Sequence, residues 1–177
     1  MRIVRHTELS GPRGCRALLA VPLGLVLLTA GACASESSAE RSPRIFATTG
    51  YLADAARVIA PDADVTTMVG PGGDPHTYRP STRDITTMQE ADLVLWNGLH
   101  LEAQMIDQLE SLGDRQLAVG EEVPETLLLS WPETDDAGNP LFDPHIWNSP
   151  EAWKVAVGAV TDKLIAIDPD QPDAYVE

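Results

Sequence analysis

Histidine is scarce in this chain, with four in 177 residues, so any arrangement that repeats one is informative. Basic residues are few as well: 12 Lys and Arg stand against 27 Asp and Glu, for a formal net charge of -15. That balance argues against nucleic acid or anionic lipid as a partner and fits a soluble protein that attracts cations. No low-complexity tract dominates, and 44% hydrophobic with 22% charged residues is ordinary for one globular fold or a piece of a longer one. The longest apolar run, residues 17–30, is short of the roughly 20 residues that a membrane span needs. Signatures of hydrolytic chemistry are missing too. There is no HExxH and no GxSxG, and the glycine loop at 69–76 lacks the lysine and Ser/Thr that cradle phosphates.

What is present begins with an export signal. Arg2, Arg5, Arg13 and Arg16 precede "ALLAVPLGLVLLTA" (17–30), and small residues follow. A buried helix is a poor reading, because Pro22 and Gly24 interrupt the run and "ASESSAERSP" (34–43) comes directly after. "TAGAC" (29–33) resembles the lipobox of bacterial lipoproteins, with Ala30 in place of the usual leucine. The resemblance implies that Cys33 is lipidated and becomes the first mature residue. Cys15 leaves with the signal, so no thiol remains for a disulfide, a thiolate metal site or cysteine catalysis. His6 is lost as well, and the mature chain keeps 8 basic against 26 acidic residues.

The expected organisation is a lipoprotein signal peptide at 1–33, a flexible tether at 34–43, an α/β lobe at 44–150 and a helical region at 151–177. Strand candidates fall at 44–50, 64–70, 92–98 and 116–120. Helix candidates fall between them at 51–60, 81–91 and 101–113, followed by 149–168, with a further helix starting near Pro172. Alternation of this kind predicts a parallel sheet flanked by helices. Residues 121–142 carry prolines at 124, 132 and 140 and an acidic cluster at 133–136; they read as one long connection, functional or mobile.

Two stretches repeat each other. "GGDPHTYRPS" (72–81) and "FDPHIWNSPE" (142–151) each set Asp-Pro-His before a variable and an aromatic residue. Proline fixes its own φ and holds the preceding aspartate extended, so each imidazole comes from a stiff backbone. Both loops follow strand-like material, where ligands of parallel α/β sheets gather. One such histidine is more often a cap or a surface residue; two in matched loops point to a metal pair, His76 and His145. His100, at a strand-to-helix junction without that frame, reads as structural. "GPGG" (70–73) reads as a turn that lets the backbone approach the site.

"GGDPHTYRPSTRD" (72–84), "ADLVLWNGLHLE" (91–102) and "DPHIWNSPEAW" (143–153), in this order and spacing, resemble the metal-binding receptors of bacterial ABC importers for manganese, zinc or iron. The resemblance runs from about Arg44 to the last residue. It implies two α/β lobes of periplasmic-binding-protein type joined by a long helix, with metal in the cleft. His76 and His145 would be the first two ligands, with Asp74 and Asp143 as candidate outer partners of the imidazoles. A third ligand, His or Glu, and a fourth, Asp, would come from a C-terminal lobe that this chain does not contain, so weak binding with little discrimination is expected of it. The connection at 121–142, rich in acids and free of histidine, favours manganese, with zinc or iron open. The implied partners are a membrane permease and, through Cys33, the outer face of the cytoplasmic membrane. Two other classes stay open: a metal-dependent hydrolase with Asp74 or Asp143 as base, and a surface adhesin, for which no residue speaks.

Overall fold

A computed structural model describes residues 41–135, 137–169 and 172–175. The expected export signal, Cys33 and residues 34–40 of the tether lie outside the described residues. Arg41 and Pro43, at the end of that tether, are already bonded to the fold. The Arg41 guanidinium donates to Asp92 at 2.8 Å, and the Pro43 carbonyl accepts from Asp64 N–H at 2.9 Å.

Four parallel strands make the sheet: β1 (Arg44–Ala47), β2 (Asp64–Thr67), β3 (Leu93–Trp96) and β4 (Gln116–Ala118), in the order β2-β1-β3-β4. β1 lies between two neighbours, with Ile45 opposite Val65 on one side and Leu93 on the other. All four residues of β3 are buried, as its continuous apolar run requires of a strand covered on both faces.

Side chains alternate along the strands, and each set meets a different helical layer. Ile45, Ala47, Leu93 and Leu95 pack with α1 (Gly50–Ile59) and α4 (Pro150–Ile167) through Leu52, Ala56, Ala152, Ala156, Val160 and Leu164. Phe46, Val94 and Trp96 point the other way, onto Met88 of α2 (Thr82–Glu90) and Leu109 of α3 (Ile106–Glu110). Caps set the helix starts. The Thr49 hydroxyl accepts from Leu52 N–H, the Ser149 hydroxyl from Ala152 N–H, and Ser81 and Asp84 form a reciprocal capping box.

Three elements differ from the sequence expectation. Helix 101–113 is confined to α3, because residues 98–105 form tight turns in which Leu99 and His100 take φ values of 53° and 63°. Glu102 causes this: its carboxylate bonds the backbone N–H groups of Asn97 and Gly98, a geometry that a helix started at 101 does not provide. The long connection contains an antiparallel ribbon, β5 (Ser130–Thr134) with β6 (Pro140–Phe142), whose turn is held by Asp135 accepting from Ala137 and Asn139 N–H. Its prolines fit because the ribbon is two edges with no interior strand. The segment after α4 is a 3-10 turn over Pro172–Ala174.

Candidate metal centre

Because the four strands run parallel, their carboxyl ends share one rim, and both Asp-Pro-His loops sit there. Beyond β2, Met68 and Val69 continue pairing to Ala47 and Thr48 before the glycine turn leads to His76. His145 comes from the other end of the chain, between β6 and α4, and opens a 3-10 turn over Ile146–Asn148.

The two imidazoles meet. Their Nε2 atoms face each other at 3.3 Å, with ring centroids 5.2 Å apart. One ring can donate to the other at that separation, or both lone pairs can meet on one ion. Two nitrogens each about 2.0–2.1 Å from a tetrahedral ion stand about 3.3–3.4 Å apart, so the observed spacing is that of neighbouring ligands. Sequence reasoning placed these histidines in one site, and the fold brings them together.

Their supports differ. Asp143 Oδ1 accepts from His145 Nδ1 at 2.6 Å and from His145 N–H at 2.9 Å, so one carboxylate fixes both ring and backbone. A carboxylate accepts only, which puts the proton on Nδ1 and leaves Nε2 bare for a metal. Asp74 bonds His76 N–H at 3.0 Å and the Thr77 hydroxyl at 3.1 Å. It shapes the loop and does not orient the His76 ring.

Aromatic side chains wall His145; Trp147 is the aromatic of the repeated motif, while Trp131 and Tyr51 had no signal in the sequence. Trp131 on β5 lies 5.5 Å away, Trp147 meets the ring edge-on at 5.2 Å, and Tyr51 stacks on Trp147 at 4.6 Å. An apolar wall limits water and lowers the local dielectric around a ligand. Asn97 and Glu102, 1% and 2% exposed, form a polar floor under the same loops. Their signal was faint, a polar residue ending an apolar strand and an acid inside an amphipathic pattern. His100 is exposed and lines an open groove with His76, Glu133 and Asp135. Among the described residues, no group of three or more His, Cys, Asp or Glu could hold a metal ion, so the pair offers two donors.

The family described as zinc-uptake complex component A, periplasmic, matches residues 45–177. The chain is 36% identical over 149 residues to the manganese-binding lipoprotein MntA of Bacillus subtilis, covering 81% of this chain and 47% of that protein. It is 33% identical over 168 residues to the zinc-binding protein TroA of Treponema pallidum, covering 93% and 52%. The solved structure of the periplasmic zinc-binding protein TroA from Treponema pallidum superposes with a TM-score of 0.68 at 36% identity, over 76% of this chain and 47% of that one. The chain thus spans about half the length of the curated relatives it matches.

Proposed function

The chain belongs to the family of the periplasmic zinc-uptake complex component A, and from that premise we propose that His76 and His145 bind a divalent transition metal as cargo, for delivery to the permease of an ABC importer. The observation that carries this is the 3.3 Å separation of the two Nε2 atoms, with Asp143 behind one of them. The relatives support a metal cargo: MntA is named for manganese and TroA for zinc. Manganese remains the favoured cargo once donors outside the described residues complete the coordination, since the connection at 121–142 is rich in acids and carries no histidine. Two imidazoles leave the remaining coordination positions to water or to donors outside the described residues.

Export and attachment through acyl chains on Cys33 complete the reading. MntA is named a lipoprotein, which supports it. Mass spectrometry of membrane-extracted protein reads the acylation; an unmodified Cys33 would remove the anchor from the proposal. Release of an unchanged ion needs no general base. The hydrolase alternative is not favoured, because Asp143 and Asp74 are both engaged as acceptors to their own loops.

Calorimetric titration with Mn²⁺ and Zn²⁺ tests the site. His76→Ala and His145→Ala should each weaken binding by more than the roughly 10–100-fold that loss of an outer partner costs. Unchanged affinity in both variants would sink the assignment.

A further inference from the structure

Behind the paired histidines lies a buried carboxylate that metal binding itself does not use. Glu102 is 2% exposed, and its side chain is fully engaged. Oε1 accepts from the Thr48 hydroxyl at 2.6 Å and from Asn97 N–H at 2.9 Å, while Oε2 accepts from Gly98 N–H at 3.2 Å. Burial pushes its carboxyl above the usual glutamate range, and these donors pull the other way.

Two of these partners, Thr48 and Asn97, each lead to one of the two histidine loops. The Thr48 carbonyl accepts from Val69 N–H at 3.0 Å, where the extension of β2 enters the glycine turn before His76. The Asn97 side chain donates to the Pro144 carbonyl at 2.9 Å, one residue before His145, and to the Gly98 carbonyl at 3.0 Å. Asn97 is itself 1% exposed, so its amide is held in one orientation. One carboxylate therefore ties together the carboxyl ends of β1 and β3, and through them both histidine-bearing segments.

We propose that Glu102 is a positioning residue of the metal centre, registering the His76 and His145 loops against each other through Thr48 and Asn97. This rests on the reading of the histidine pair as the metal site. The tolerance is small, because ligand geometry must hold within roughly 0.5 Å for full affinity. A Pro144 peptide released from Asn97 can rotate, and His145 rotates with it.

Three variants of the purified protein separate positioning from simple stabilisation. Asn97→Asp keeps the shape and removes the donor to Pro144; Thr48→Val removes the hydroxyl that Thr48→Ser keeps. Three readouts are taken: Zn²⁺ affinity, long-range ¹H–¹⁵N imidazole spectra without metal, and the metal-free melting temperature. Asn97→Asp should lose about 10–100-fold in Zn²⁺ affinity and shift the His145 ring signals. Thr48→Val should shift the His76 signals and weaken binding, with Thr48→Ser restoring both. Wild-type ring signals and affinity in Asn97→Asp and Thr48→Val, with only the melting temperature lowered, would overturn the proposal. If Asn97→Asp fails to fold, the Thr48 pair decides alone. His145→Ala serves as the control: unchanged Zn²⁺ affinity there overturns the metal assignment, while the metal-free ring spectra still decide whether Glu102 positions the loops.

Discussion

At the scale of single residues, the two Asp-Pro-His loops are alike in sequence and unlike in bonding. Asp143 reaches both the backbone and the ring of its histidine, while Asp74 reaches backbone and a hydroxyl only. Asp143→Ala should therefore cost about 10–100-fold in Zn²⁺ affinity by freeing the ring and its tautomer. Asp74→Ala should cost less, because the His76 ring keeps its freedom either way. Titrations of the two variants side by side check this, and equal losses would contradict the asymmetry. Repeated motif and stiff proline made the histidines legible in the sequence. The bonding difference was not, since it depends on where each ring turns after the backbone is set. Asn97 and Glu102 were hidden for a related reason: their partners are backbone groups and a hydroxyl, which no spacing rule marks.

At the scale of elements, the start of α2 is tied to the His76 loop. Asp84 Oδ2 accepts from Ser81 N–H at 2.7 Å, from the Ser81 hydroxyl at 2.7 Å and from the Tyr78 hydroxyl at 3.0 Å. Tyr78 stands two residues after His76, so the capping box also closes the His76 loop. Partial desolvation alone would raise the Asp84 carboxyl, but the bonds from Ser81 and Tyr78 outweigh it and hold it below the usual aspartate range. A depressed carboxyl contributes stability above its unfolded pKa of about 3.9 and loses it as pH falls through the lower folded value. Ser81→Ala should cost about 1 kcal/mol near neutral pH. Asp84→Asn should destabilise at pH 7 and converge toward the parent at acid pH, as pH falls through the lowered folded value. Denaturant melts at the two pH values read this, and a pH-independent difference would show that the charge plays no part. Elements whose pattern, caps and breakers agree were legible: the four strands, α1, α2 and α4. α3 was overestimated because Leu101, Met105 and Leu109 are all buried at helical spacing, although the first two sit in turns. The β5–β6 ribbon was missed because Pro132 and Pro140 argue against strands, and only a two-stranded ribbon excuses them.

At the scale of the whole molecule, the fold places two imidazole donors on the rim of an acidic protein. Acidity raises the local concentration of any cation but does not choose among them. Choice comes from donor type and enforced geometry, and two Nε2 atoms 3.3 Å apart enforce only one angle. Binding by this chain should therefore follow the intrinsic order for nitrogen donors, with Mn²⁺ weaker than Co²⁺ and Zn²⁺ weaker than Cu²⁺. A preference for Mn²⁺ over Zn²⁺ would need oxygen donors that a two-histidine site does not supply. The measurement is the metal-dependent rise in unfolding free energy, which reaches about 2.7 kcal/mol when free metal is 100 times Kd. Run with each ion at a fixed concentration, the series should rank the ions in that order and collapse in His145→Ala. Stabilisation by Mn²⁺ above Zn²⁺ would mean that carboxylates join the histidines. Glu133 and Asp135, on and beside β5, line a groove with His76, which makes Glu133→Gln with Asp135→Asn the pair that would abolish the preference.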